Sequence, residues 1–313
     1  MKRFKILITT PERYFSLNKY FQQKLGFKVA KISLDAGLTC PNRDGTLSLG
    51  GCIFCDGKGS GSGAGQAGLS LVEQLETGLD RMKGRADKFM AYFQSYTNTY
   101  APPEKLKRMW DQALAPDEII GLAVGTRPDC LPDDVLDILE AYARDYEIWL
   151  ELGLQSASDR TLALINRGHT ADDFSRAVAR ARGRGIKILA HVILGLPGEG
   201  KKEVAATAKF LANLEISGVK IHSLYVPGST ELEVMYQRGD FKCLDQDEFV
   251  DLAVNFLELI PNEVVIHRLT GDPDPKTLVA PEWSLNKHRT ISLIRNRMSD
   301  LNTWQGRWSC NSR

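Results

Sequence analysis

Six runs along the chain are apolar at most positions and short enough to be strands: FKVAKISL (27–34), KFMAYFQSY (88–96), IIGLAVGTR (119–127), YEIWLELGL (146–154), IKILAHVILGL (186–196) and VKIHSLYV (219–226). Strands without a polar face are covered on both sides, as in a parallel sheet between helices. The segments between them, among them LSLVEQLETGLDRM, LPDDVLDILEAYAR, TADDFSRAVARARGRG and KKEVAATAKFLANLEISG, repeat apolar residues at helical spacing. Pro132 and Asp133 open the second of these, and Asp172 and Asp173 load the first turn of the third. Gly183, Gly185 and Gly218 stand where helix C-caps are expected. Six strand–helix units predict an α/β fold, a parallel barrel or an open sheet. A seventh candidate strand, VVIHRL (264–269), follows the helical DEFVDLAVNFLELI, and the C-terminal residues read as helical and basic.

The placement of reactive residues favours the barrel. A cysteine-bearing segment follows the first run, Thr126 and Arg127 follow the third, and Glu151 and Gln155 lie in and after the fourth. Carboxyl ends of barrel strands are where such folds build their sites. The stretch GKGSGSGAGQAG (57–68) lacks the Gly-Lys-Ser/Thr ending of a phosphate loop and reads as a linker or lid.

Composition narrows the setting. The chain has 313 residues, 43% hydrophobic and 25% charged, and no apolar run of membrane-spanning length or signal-peptide pattern, so a cytoplasmic globular protein is expected. Six cysteines are too sparse for a secreted disulfide framework. Net charge is +1 but uneven, with +7 on residues 1–31 and +5 on 284–313, leaving −11 between them. Basic ends around an acidic body are either solvated surface or a polyanion-binding face.

Three of the cysteines fall in TCPNRDGTLSLGGCIFC (39–55), the last two as Cys-x-x-Cys. A closed structural zinc site needs four Cys or His ligands, and the next candidates, Cys130 and His169, are far off in sequence. Three local thiolates on a four-iron four-sulfur cluster would leave one iron free for a substrate or cofactor. Gly45, Gly50 and Gly51 can supply the positive φ angles of a wrapping loop.

The trio Cys40, Cys52 and Cys55, with Phe54 making the Cys-x-aromatic-Cys, resembles the cluster motif of radical S-adenosylmethionine (SAM) enzymes. The eleven residues between Cys40 and Cys52 exceed the common spacing of three and resemble the YhcC-like family and the radical domain of the Elongator catalytic subunit. The blocks GTRPDCLPDDVLDIL, ELGLQSASDRTLALINRGHT, HVILGLPGE, IHSLYVPGSTELEVMYQRGDF, RLTGD and WSLNKHRTISLIRNRM extend the resemblance, in order, over nearly the whole chain.

The resemblance implies a partial (β/α)6 TIM-type radical SAM barrel over 27–270, with a basic N-terminal extension (1–26) and a helical basic C-terminal extension (271–313). It implies a 4Fe-4S cluster on Cys40, Cys52 and Cys55, and SAM chelated to the unique iron and cleaved to a 5′-deoxyadenosyl radical. It places Phe54 near adenine, Glu151 on the ribose and Arg167 on the methionine carboxylate. Gln94 stands where relatives carry an amino-group motif. A tRNA wobble-uridine side chain is the implied substrate, the basic termini its grip, and a flavodoxin- or ferredoxin-type protein the electron donor. A radical enzyme acting on a small metabolite or peptide is the first alternative. A non-catalytic iron-sulfur or zinc protein that binds nucleic acid is the second. Cys130 reads as a loop thiol or hydrogen donor, Cys243 and Cys310 as structural, His169 as a local cap, and His222 and Tyr225 as either core or substrate contacts.

Overall fold

The computed structural model describes residues 12–57 and 68–309. Its strands are β1 (Val29–Leu34), β2 (Lys88–Phe93), β3 (Ile119–Thr126), β4 (Glu147–Gln155), β5 (Lys187–Leu194), β6 (Gly218–Ser223), β7 (Val226–Pro227), β8 (Val265–Arg268) and β9 (Leu278–Ala280). β1 to β6 and then β8 form one parallel sheet in chain order, and β7 pairs antiparallel with β9. The seven parallel strands curl into a half-barrel with β1 and β8 as free edges, which agrees with the expected partial barrel and turns the candidate seventh strand into an edge. The run expected as one strand over 219–226 breaks after Ser223.

The helices are α1 (Leu17–Leu25), α2 (Leu71–Met82), α3 (Pro103–Leu114), α4 (Asp133–Tyr142), α5 (Asp159–Leu164), α6 (Ala171–Ala181), α7 (Lys201–Ala212), α8 (Glu231–Arg238), α9 (Gln246–Leu259) and α10 (Lys287–Asp300). The charged first turn expected for α6 is realised as a capping box between Thr170 and Asp173. Gly183 and Gly185 adopt left-handed φ after α6, but Gly218 caps nothing. It opens β6, where a Cβ would lie 2.9 Å from Leu189 and 3.0 Å from Trp149, so close packing is what requires glycine there. Among the described residues no helix is long and apolar enough to cross a membrane.

Alternation along each strand sorts side chains into two populations. One set, including Ile32, Phe89, Leu122, Leu150, Ile188 and Val219, joins the sheet to its covering helices. The other faces the barrel interior. Its lowest layer is apolar: Met90, Ala123, Trp149, Leu189 and Val265, closed from beneath by Phe21 of α1. Residues 15–16 bridge to Ile266 on the free edge of β8, so the N-terminal segment both plugs the barrel floor and covers an open edge. The next layer up is ionic, and the site stands on it.

Candidate active site

The cysteine segment follows β1 and lies across the carboxyl ends of the strands. Gly50 and Gly51 take φ of 86° and 84°, so the loop turns in a way a side chain would oppose. The turn after α5 clamps it. Ile53 N–H donates to Ile165 O (3.1 Å), Asn166 Nδ2 to Gly51 O (2.8 Å), and buried Asn42 Nδ2 to Asn166 O (2.6 Å). Asn166 itself sits at φ 50°, which asparagine tolerates better than most residues.

Cys40, Cys52 and Cys55 all line one cavity of ≈ 130 Å³. Three donors converge on the sulfurs: Arg43 Nη1 is 3.3 Å from Cys55 Sγ, Arg167 Nη1 is 3.5 Å from Cys52 Sγ, and Asn42 Nδ2 is 3.7 Å from Cys52 Sγ. Burial pushes the Cys55 thiol up to about 11, with Cys52 adding to the rise and Arg43 opposing it. Among the described residues no three Cys, His, Asp or Glu side chains converge on one ion. Thiolates spread round a cavity, with an arginine donor on each of the Cys52 and Cys55 sulfurs, fit an anionic cluster in which each sulfur meets a different iron. Cys130 lines a separate hollow beside Pro41 and Tyr100, and Cys243 is half-buried. Cys310, Lys2, Arg3, Lys5 and most of the glycine-rich 57–68 stretch lie outside the described residues.

Beneath this cavity Glu151 is 1% exposed. Its Oε2 accepts from His191 Nε2 (2.7 Å) and Lys220 Nζ (3.1 Å), and its Oε1 accepts from Lys31 Nζ. Lys220 also donates to Tyr92 Oη (2.8 Å), and Lys31 to His267 Nδ1 (3.3 Å). The Tyr92 ring lies under both ammonium groups, 4.5 Å from Lys220 and 4.9 Å from Lys31. Burial would raise the Glu151 carboxyl, but Lys220, Lys31 and His191 outweigh it and hold the group well below the carboxylate range. Burial, with Lys220 assisting, brings His191 down to about 4. Burial also draws Lys220 down to about 7 against the pull of Glu151.

The sequence-predicted residues therefore assemble. Phe54, Gln94, Glu151 and Arg167 line the same cavity as the three cysteines. Arg167 spends Nε and Nη2 on Gly153 O (3.2 and 2.8 Å) while Nη1 faces Cys52. His169 is buried between Gly153 O (3.0 Å) and Thr170 O (3.1 Å), and burial beside Arg167 takes it down to about 3. A second cavity of ≈ 510 Å³ opens alongside, lined by His222, Tyr225, Arg268 and the 272–275 loop among others. Phe54, Gln94, Gln155 and His191 border both.

Lys31, Tyr92, His191, Lys220 and Asn42 were not singled out from sequence. A charged or hydroxylated residue inside a run apolar on both faces was the available signal. The basic termini are less free than their composition suggests: Arg295 pairs with Glu12 (3.6 Å), Arg297 with Asp251, and Lys287 with Asp272 (2.8 Å).

Comparison with known proteins agrees with this geometry. The Radical SAM superfamily matches residues 40–211 and the Radical_SAM C-terminal domain residues 216–300. YtqA of Bacillus subtilis is 40% identical over 301 residues, covering 96% of this chain and 94% of its own. YhcC of Escherichia coli is 40% identical over 266 residues, 85% of each chain. The archaeal Elp3 of Methanocaldococcus infernus superposes with a TM-score of 0.66 at 19% identity, over 88% of this chain and 64% of that one, which shows a shared fold. The chain belongs to the radical SAM superfamily, among the relatives of YhcC and YtqA, and is an enzyme whose cofactors are a 4Fe-4S cluster and S-adenosylmethionine.

Proposed function

We propose that the protein modifies a tRNA nucleoside, the side chain of a wobble uridine, by hydrogen abstraction. The observation that carries this reading is the ≈ 510 Å³ cavity beside the cysteine-lined one, of a size suited to a nucleoside turned out of its strand. Tyr225 offers a ring face to a base, and Arg268 offers donors to its edge. The resemblance to the Elongator catalytic subunit supports tRNA over a free metabolite.

In this reading Cys40, Cys52 and Cys55 hold the cluster. Bound there, cluster and SAM together supply a 5′-deoxyadenosyl radical that removes a hydrogen atom from a substrate carbon. Arg43, Arg167 and Asn42 donate toward the sulfur ligands, and the remaining N–H groups of Arg167 would meet the methionine carboxylate. Phe54 covers adenine and Gln94 serves the amino group. Gln155, held at φ 71° with its side chain on both cavities, serves the ribose; Glu151, its oxygens already taken by three side chains, acts from below.

The test is anaerobic incubation of reconstituted enzyme, SAM and reductant with tRNA from a strain lacking the gene, followed by nucleoside mass spectrometry. A mass change confined to one uridine derivative, with 5′-deoxyadenosine formed alongside, is the expected result. An unchanged nucleoside profile, with 5′-deoxyadenosine release stimulated instead by small metabolites, would move the assignment to the metabolite class.

A further inference from the structure

Four residues border both cavities, and one of them, His191, can exchange a proton. It stands on β5 where the cysteine-lined cavity meets the larger one, which on the proposed reading is where a substrate carbon loses its hydrogen. Its side chain is 17% exposed, whereas that of Glu151 beneath it is fully buried. Nε2 is committed to the Glu151 carboxylate at 2.7 Å, so Nδ1 is the nitrogen available to a molecule in the cavity. An ionised carboxylate can only accept, so this bond fixes the tautomer with hydrogen on Nε2 and the lone pair on Nδ1. A base oriented by a buried acid behind it is the arrangement that general-base catalysis uses repeatedly.

We propose that His191 is the acid–base catalyst of the substrate cavity and that Glu151 is its positioning residue. This rests on the tRNA reading only for the identity of the substrate. The step is a proton transfer. Nδ1 takes the proton from a nitrogen or oxygen next to the carbon that has lost hydrogen, the N–H bond forms as the substrate X–H bond breaks, and the electron pair stays on X. Removing that proton leaves the substrate a radical anion, which expels a neighbouring group with its bonding pair and keeps the unpaired electron on the remaining fragment. Glu151 offsets part of the cost of the imidazolium, which gives the proton to the departing group or to water.

The surroundings decide which form His191 adopts at rest. It faces Glu151 from β4, Lys220 and His222 from β6, Lys31 from β1, Tyr92 from β2, and His267 and Arg268 from β8. The His222 ring stacks on it at 5.3 Å and 29°. Two ammonium groups against one carboxylate leave the layer with excess positive charge, and burial compounds it, so the ring rests neutral at physiological pH with no proton on Nδ1. His222 has no comparable support, since its Nε2 is buried without a partner.

Two measurements test this, and they fail separately. The first needs no substrate: C2-hydrogen exchange of the histidines, read peptide by peptide by mass spectrometry across pH, on the full chain. His191 should stay neutral to below pH 5 in wild type, and Lys220→Met should raise its midpoint by at least one unit. A wild-type midpoint near 6.5 that ignores Lys220→Met would overturn the proposal. The second uses tRNA as substrate. His191→Asn and His191→Gln should each lower nucleoside conversion at least 100-fold, the scale of a lost general base. They should also raise the ratio of 5′-deoxyadenosine to product at least tenfold. Lys220→Met should acquire an acid limb at the shifted His191 midpoint. Conversion within threefold of wild type in both His191 variants would refute the catalytic role. Wild type that converts no tRNA would instead sink the substrate reading, leaving the exchange titration to judge the dyad.

Discussion

Replacing Glu151 by glutamine keeps the shape of the side chain and removes the one anion of the barrel's ionic layer. Lys220 is 5% exposed and Glu151 1%, so neither can turn to solvent. At 3.1 Å and an effective dielectric of about 20, the Lys220–Glu151 attraction alone is about 5 kcal/mol before desolvation is charged against it. Stranding the partners of a buried pair costs about 3–5 kcal/mol, and we expect Glu151→Gln to lose that much at pH 5.5. Urea unfolding of the apoprotein is the assay. With a slope of about 3 kcal/mol/M the midpoint should fall by about 1–1.7 M. The pH dependence has a definite sign. Lys220 has a folded pKa of about 7, below its usual 10.5, so the unfolded chain holds the extra proton between them and wild-type stability climbs through that window. Without Glu151 the folded pKa falls further and the variant begins to recover at lower pH, so the gap should be smaller at pH 8 than at 5.5. Adding Lys31→Met and Lys220→Met should restore most of the loss, since a buried ionic group is often matched by apolar isosteres. A loss below about 1 kcal/mol, the scale of an exposed ion pair, or a gap that widens with pH, would refute the reasoning.

Three further outcomes follow from the same geometry. Cys40→Ala, Cys52→Ala or Cys55→Ala should each abolish the cluster's absorbance and iron content after anaerobic reconstitution, whereas Cys243→Ala should leave both in place; full loading of the triple variant would remove the cluster assignment. Gly153→Ala should fold, because its Cβ would meet only side-chain ends, Arg167 Nη2 at 2.3 Å and Gln155 Nε2 at 2.8 Å, yet weaken SAM at least tenfold in equilibrium dialysis, and wild-type affinity would free both residues of a cofactor role. For tRNA, neutralising Arg295 and Arg297 together should lower the slope of log K against log salt by less than 0.7, because carboxylates already hold them. A drop of about 1.4 or more in filter binding would make both phosphate contacts.

Local signals carried most of the fold. The strands begin and end within a few residues of the apolar runs, and the α6 capping box sits where Asp172 and Asp173 marked a helix start. Gly218 shows the limit of such signals: a glycine between a helix and a strand reads as a cap, and only the neighbouring strand's Trp149 reveals that it is there for want of space. α1 was missed because LNKYFQQKL buries just Phe21, and what that residue fills, the barrel floor, is formed by β2 to β8 far along the chain. The cysteine loop was legible because its ligands are local.

The ionic layer was not, for a geometric reason. Lys31, Tyr92, Glu151, His191, Lys220 and His267 contribute one residue from each of six strands, separated by 29 residues or more, and each looks alone like a tolerated polar position. Parallel register is what puts them together: Gly125 beside Glu151, Glu151 beside Leu189, and His191 beside Lys220 hold neighbouring strands so that inward positions meet at one height. Their mutual compensation then follows from charge, since burying a carboxylate without donors, or an ammonium without acceptors, would cost more than the strand gains by forming. Sequence alone could have raised the question through strand alternation. A lysine on the inward face of a strand covered on both sides has nowhere to go but toward an anion, and Glu151 is the one inward carboxylate that this layer of the sheet provides. The same constraint explains why the catalytic proposal falls on His191: it is the member of the layer that borders both cavities, so the charge arrangement that stabilises the barrel also sets the protonation state of that imidazole.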